Sequence, residues 1–265
     1  MVADTQKPEA SLTTRVTFTR VEAGKKRKAA GPAAREFPFN IRLNGKEYLT
    51  TLCSPVSLDF LVAGLLFSEG LIKSKGDIES LVIDEQRAFA EVITRSRIEP
   101  QDCPLKPLIA SAGVKGMSRY NPAAVLPVNS NIRVTPAQVI SLIKAFLGSS
   151  AVYDATHGTH AAALARPEGI VIFHEDIGRH NALDKVFGQA LMQGLPLGDA
   201  IIITSGRISS EILLKVAKRA VPVLISKASP TDLGASLANR MNITLIRATT
   251  GGEINIYAGE ERIEE

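Results

Sequence analysis

From His160 to Tyr257 short apolar runs alternate with amphipathic helical patterns, and that alternation leaves few folds open to the chain. His160–Ala165 and Ile170–Glu175 read as strands joined by the turn Arg166-Pro167-Glu168-Gly169. A helix over Asn181–Met192 places Leu183, Val186, Phe187, Ala190 and Leu191 on one face. Ala200–Thr204 is a continuous apolar run, which suits a strand covered on both faces. A helix (Ser210–Ala220), a strand (Val223–Ser226), a helix (Thr231–Met241) and strands Thr244–Arg247 and Ile254–Tyr257 complete the series. Such alternation predicts a largely parallel α/β layer with helices on both faces.

The first half reads differently. Residues 1–36 are polar, lack apolar period and include Gly24, Gly31 and Pro32, which predicts a disordered or loosely attached tail. Phe39–Leu43 alternates like a strand, Asn44-Gly45 supplies a tight hairpin turn, and Lys46–Leu52 returns. Ser57 is placed to cap a helix over Leu58–Glu69, with Asp59 in its first turn and Gly70 at its end. That helix is apolar on nearly every side and belongs in a core. Ile78–Asp84 and Phe89–Thr94 are strand-like. From Glu99 to Pro127 seven prolines and glycines break every period, so 99–127 is expected to be a mobile loop. Thr135-Pro136 opens a helix through Leu147 that Gly148 stops. The expected organisation is a tail (1–36), an N-terminal α+β subdomain (37–148) and a C-terminal α/β domain (149–265).

Composition enters as exclusion. Apolar stretches such as Leu58–Phe67 are too short for the roughly 20 residues of a membrane span. The start, with Asp4, Lys7 and Glu9, carries no secretory pattern, so a soluble cytoplasmic protein is expected. Cys53 and Cys103 are the chain's 2 cysteines, too few for a disulfide framework, and Cys53 reads as buried beside Leu52. The basic run Lys25–Lys28 has no interleaved aromatics and no recognition motif after it, which argues against nucleic acid as a partner. His157, His160, His174 and His180 lack thiolates or carboxylates at zinc spacing, and no protein-bound metal is expected.

Ligands of open α/β sheets gather at the carboxyl ends of strands. Three polar segments fall there. Glu175-Asp176-Ile177-Gly178-Arg179-His180-Asn181 offers two carboxylates, a guanidinium and an imidazole, and reads equally as an elaborate helix start. Thr204-Ser205-Gly206-Arg207-Ile208-Ser209-Ser210-Glu211 suits an anion cradle, or plain capping by Ser209 or Ser210; it lacks the Walker spacing. Thr249-Thr250-Gly251-Gly252 permits close backbone approach or a simple turn. Three such loops on one edge say more than any one of them.

These segments, taken with their neighbours, resemble a known family. Glu175 through Lys185 looks like the hallmark stretch of the FdhD/NarQ family of formate dehydrogenase accessory proteins. Ser205-Gly206-Arg207 running into Glu211 and Lys215, Thr159–Leu164, Gly64–Gly70 and Asn44-Gly45 match further motifs in order, from roughly Phe37 to Tyr257. The resemblance implies a cytidine-deaminase-like layered mixed sheet, a homodimer, and binding of the molybdenum bis(molybdopterin guanine dinucleotide) cofactor, with GDP as its mimic. It implies sulfur carriage from a cysteine desulfurase to that cofactor on behalf of a formate dehydrogenase. The cofactor-binding residues it implies are His160, Asp176, Arg179, His180, Ser205, Arg207 and the turn Ala248-Thr249-Thr250-Gly251-Gly252-Glu253. One departure is serious. The family's C-G-x-C-G sulfur loop corresponds here to Ala112-Gly113-Val114-Lys115-Gly116, and neither Ala112 nor Lys115 can carry a persulfide. Cys103 lies in the same loop as a weak substitute, so a cofactor-binding chaperone without sulfur transfer is the alternative. A zinc deaminase is excluded by the missing H-x-E and P-C-x-x-C elements, with Ala162 two residues after His160.

Overall fold

The computed structural model describes residues 12–98, 106–109, 115–118 and 122–264. The described residues open with an antiparallel hairpin, β1 (Thr13–Glu22) and β2 (Lys25–Ala34), in register from Thr13↔Ala34 to Glu22↔Lys25. The expectation of a disordered tail fails here. Thr13, Thr17, Thr19, Val16, Phe18 and Val21 give β1 strong strand preference, and Ala23 and Gly24, at φ 48° and 77°, make the turn. Hydropathy misses this hairpin because neither face is apolar enough to join the core. It carries six cationic side chains against Glu22 alone, more than the net +4 of the whole chain, so the rest of the chain is slightly acidic.

A four-stranded sheet follows in the order β4-β3-β6-β5, from β3 (Phe37–Leu43), β4 (Lys46–Cys53), β5 (Ile78–Asp84) and β6 (Phe89–Thr94). Between β4 and β5 runs helix α1 (Leu58–Glu69). In β3 the buried Phe39, Ile41 and Leu43 alternate with exposed Asn40 and Arg42, the period of a sheet with one wet face. Ser57 precedes α1 in the left-handed region at φ 51° and makes no side-chain cap, contrary to expectation; N-caps normally hold extended geometry that aims the hydroxyl at the first turn. Gly70 ends the helix at φ 80° as foreseen. Within the segment expected to be a loop, β7 (Lys106–Ile109) pairs antiparallel with β8 (Lys115–Ser118). Cys103 and Ala112 lie outside the described residues.

Helices α2 (Pro136–Gly148) and α3 (Ala151–Thr156) lead into the main sheet. Thr135 and Gln138 form a reciprocal capping box at the start of α2. The remaining elements are β9 (His160–Arg166), β10 (Gly169–Asp176), α4 (Arg179–Gln193), β11 (Ile201–Thr204), α5 (Ser210–Lys218), β12 (Val223–Ser226), α6 (Asp232–Arg240), β13 (Thr244–Ala248) and β14 (Ile254–Ala258). Sheet order is β10-β9-β11-β12-β13-β14. Only the β11–β12 and β12–β13 pairings are parallel; the outer three are antiparallel. The sheet is therefore mixed rather than largely parallel, because the tight turns 167–168 and 249–253 leave no room for a crossover helix.

Side chains alternate between two cores. Ala162, Leu164, Ile202, Leu224 and Leu245 face α1, α4, α5 and α6. Ala161, Ala163, Ile201, Ile203, Val223 and Ile225 face Val139, Leu142, Ile143 and Phe146 of α2. Both α1 and α2 thus pack with the C-terminal sheet, so a division near Gly148 does not describe the packing. Helix α1 crosses α4 where Gly64 meets the Asp184 carbonyl and Gly188 meets the Phe60 carbonyl, both backbone contacts a Cβ would overlap. Among the described residues no helix is long and apolar enough to cross a membrane.

His174 on β10 lies under α4, with Nε2 2.7 Å from Gln189 Oε1, and burial pushes its pKa down to about 4. The folded state resists the proton that an unfolded histidine accepts below about pH 6.5. The His174 contribution to stability should therefore fall as pH drops from about 6.5 towards 4, then level off below its folded pKa. Denaturant melts across that range check this. His174→Gln should make the slope shallower, leaving the part due to the buried His160 and His180, and an unchanged slope would remove His174 as a contributor.

Candidate functional site

The carboxyl ends of β11, β12 and β13 lie on one edge, since Thr204 pairs with Ser226 and Ser226 with Arg247. Antiparallel β9 brings its first residue to the same edge, and Asp176 of β10 pairs with His160 there. The edge thus runs from Asp176 through His160, Ser205 and Lys227 to Ala248. With strands about 4.8 Å apart, the turn 249–253 sits roughly 10 Å from Ser205–Arg207. The three loops singled out in the sequence share this edge.

Ser205 extends the ladder by one residue: its N–H donates to the Ala161 carbonyl at 3.0 Å, and its Oγ accepts from the Ala161 N–H at 2.9 Å. Its Oγ also lies 3.4 Å from His160 Nδ1. Gly206 follows because Arg179 lies across it; a Cβ there would stand 3.1 Å from Arg179 Cβ and Cδ. The Ser226 hydroxyl donates to the Gly206 carbonyl at 2.8 Å and pins the loop from the next strand. Arg207 is exposed beyond it. Burial, then the neighbouring Arg207 charge, lowers the Arg179 pKa, with Glu211 opposing. Two guanidinium groups close enough for one to lower the other's pKa are suited to anionic oxygens.

His160 is pushed towards the neutral form by burial, then by Arg179 and Lys227. His180, at the start of α4, is pushed down to about 3 by burial, with Lys215, Arg179 and His160 adding to it. At neutral pH its Nε2, 3.5 Å from Glu211 Oε2, makes a dipolar contact rather than an ion pair.

Asp176 does not face a ligand. It is fully buried; Oδ2 accepts from Lys185 Nζ at 2.6 Å and the Ser54 N–H at 3.0 Å. Oδ1 accepts from the Gly178 N–H at 2.9 Å and Asn181 Nδ2 at 3.0 Å. A carboxylate offers about four acceptor sites and these are spent. Asp176 is instead the knot that ties β4, β10 and α4 together behind the site, a correction to its expected contact role. Glu175 is likewise spent, accepting from the N–H groups of Val152 and Tyr153 at the start of α3 and from Thr159 Oγ1.

The turn Ala248-Thr249-Thr250-Gly251-Gly252-Glu253 closes the β13–β14 hairpin, with the Thr249 N–H donating to the Glu253 carbonyl at 3.0 Å. Thr250, Gly251 and Gly252 are exposed. Asn255 Nδ2 and Arg247 both donate to Glu253 Oε1 at 2.8 Å and lower its pKa, so that carboxylate is engaged locally. Sequence reasoning missed one loop of the edge. Lys227 follows β12 as Ser205 follows β11, and its Nζ lies 4.6 Å from the centroid of the Tyr153 ring. The strand-end rule, applied to Val223–Ser226, would have found it. Tyr153, on the short helix before β9, carries no sequence signal of this kind. Among the described residues no group of three or more His, Cys, Asp or Glu is arranged to hold a metal. Cys53 is buried, and burial, then Asp176, pushes its pKa up to about 12, with Lys185 opposing; it is no thiolate.

The structure is a layered α/β protein built on a mixed sheet, with Arg179, Arg207, Lys227 and the turn 249–253 along one strand-end edge. The family model for the FdhD/NarQ family matches residues 34–264. The chain belongs to that family. A sulfur carrier protein FdhD of Staphylococcus haemolyticus is 41% identical over 252 residues, covering 94% of this chain and 96% of the relative. The Staphylococcus aureus (strain MRSA252) protein of the same name is 40% identical over 250 residues, covering 93% and 94%. A crystal structure described as that of a formate dehydrogenase accessory protein from Desulfotalea psychrophila superposes with a TM-score of 0.79 at 27% identity, covering 96% of this chain and 100% of that one.

Proposed function

We propose that this chain acts in formate dehydrogenase maturation by holding a molybdenum bis(molybdopterin guanine dinucleotide) cofactor, its cargo, across the strand-end edge. The observation that carries the reading is Arg179 laid over Gly206 beside exposed Arg207, with the side-chain-free turn Gly251-Gly252 farther along. Paired guanidinium groups suit diphosphate oxygens, and glycine lets a ligand approach the backbone. The relatives' names supply the enzyme served. A second copy of the chain, a cytoplasmic setting and a cytidine-deaminase-like layering belong to the same proposal; support for the last is the mixed six-stranded sheet with helices on both faces.

Sulfur carriage from a cysteine desulfurase is the second reading, favoured by the relatives' name. Against it stand Ala112 and Lys115 in the sulfur loop and a Cys53 pKa of about 12, which together leave Cys103 as the single candidate thiol. Calorimetry with GDP tests the first reading: Arg207→Ala should weaken binding by about 1–3 kcal/mol, as expected for a charge-assisted hydrogen bond. No heat with the unmodified chain would sink it. Incubation with a desulfurase and cysteine tests the second. Sulfane sulfur lost in Cys103→Ser would establish carriage; none on the unmodified chain leaves the holding role.

A further inference from the structure

Two small cavities open beside one another behind the edge. One, of about 270 Å³, is lined by Tyr153, His157, His160, Ile177, Ser205 and Lys227 among others. The other, of about 140 Å³, shares Tyr153, Thr159, Ser205 and Lys227 with it. Pockets that enclose a whole drug-sized ligand run from about 300 to 1,000 Å³, so this recess fits one end of a ligand rather than all of it.

The donors decide which end. Lys227 rests on the Tyr153 ring, 4.6 Å from its centroid, and among the described residues no carboxylate pairs with it. Asp154 lines the smaller cavity without forming an ion pair with Lys227. The Ser205 hydroxyl accepts from the Ala161 N–H, and its own proton is shared between the recess and His160 Nδ1, a long 3.4 Å away. The carboxylate beneath, Glu175, is consumed by Val152, Tyr153 and Thr159. Its bonds to the start of α3 also hold Tyr153 in place under the lysine. What remains is a cation without a counter-ion beside a hydroxyl held only by the long His160 contact: a seat for an oxyanion.

Resting on the reading of the edge as a nucleotide site, we infer that this recess takes the phosphate farther from the base in the guanine nucleotide's diphosphate, with Lys227 as its charge anchor and Tyr153 as the platform for the lysine. Arg179 and Arg207 then face the rest of the ligand from the neighbouring loop. The recess thereby separates nucleotides by their phosphate end, favouring a diphosphate over the bare nucleoside.

Calorimetry on the full chain tests this with GDP, guanosine and inorganic diphosphate. Lys227→Met should raise the GDP dissociation constant about tenfold or more and abolish diphosphate binding, while guanosine is unaffected. Lys227→Arg should retain most of the affinity. Tyr153→Phe should behave like the unmodified chain and Tyr153→Leu should weaken GDP. Unchanged melting temperatures separate these effects from misfolding. If GDP binds Lys227→Met within twofold of the unmodified chain, the inference falls and the reading of the edge survives. If the unmodified chain binds diphosphate but not GDP, the nucleotide reading falls and the recess stands as an anion seat. If it binds neither, both fall.

Discussion

Asp176→Ala is expected to remove about 3–5 kcal/mol of folding stability, measured as a fall in the urea midpoint with an unchanged slope. Lys185 is wholly buried, and with Asp176 gone it keeps only the Ser54 carbonyl at 3.1 Å as a partner. The Gly178 and Ser54 N–H groups lose their acceptor in the same stroke, and the Asn181 amide is left with the Leu52 carbonyl at 2.8 Å. An uncompensated buried charge is what makes breaking such a pair costly; the pair itself is not thereby strongly stabilising. Replacing both partners together, as Asp176→Leu with Lys185→Met, should recover much of the loss. A single variant within about 1 kcal/mol of the parent would show that water reaches Lys185 and that the knot is looser than its geometry. GDP binding should weaken as well, because Gly178 sets where α4 begins and so where Arg179 lies.

The same residue shows what sequence could and could not reveal. Glu175-Asp176-Ile177-Gly178-Arg179-His180 stood out because a plain helix start needs no such set, and Arg179 does reach the edge over Gly206. Which members face a ligand was illegible, since it depends on Ser54, more than 120 residues away, turning its backbone towards Asp176. Strands from Phe39 to Leu43 and from Ile78 to Thr94 were legible from their period. The β1–β2 hairpin was not, because it has no buried face to write a pattern. Nor was the mixed sheet: an apolar run such as Ile201–Thr204 gives burial but not strand direction. Lys227 was within reach of the strand-end rule, but its segment Ser226-Lys227-Ala228-Ser229-Pro230 carries no glycine or cluster of charges to single it out.

A glycine-to-alanine change at the α1–α4 crossing should be among the most damaging small substitutions in the molecule. In an open helix interior such a change gains roughly 1 kcal/mol, because alanine has less backbone freedom to lose. At Gly188 the new methyl would overlap the Phe60 carbonyl, and at Gly64 the Asp184 carbonyl. These are backbone atoms, so no rotamer change relieves them and the helices must move apart. Separation would loosen Leu61, Val62 and Leu66 against Leu183, Val186 and Phe187 in the principal core. It would also stretch the buried contacts that Lys215 makes with Asp184 at 2.6 Å and with Glu69 at 3.5 Å. Burial alone would lower the Lys215 pKa, yet those two carboxylates hold it raised, so the cluster depends on keeping α1, α4 and α5 in place. Overpacking typically costs about 1–3 kcal/mol, and with immovable backbone on the receiving side the loss should reach or pass about 3 kcal/mol. Gly148→Ala is the internal control: nothing lies within 4 Å of its would-be Cβ, and it ends α2 without positive φ. That variant should be neutral or gain up to about 1 kcal/mol. Equal effects at Gly148 and Gly188 in thermal melts would mean that helix propensity, not the closeness of the crossing, governs both sites.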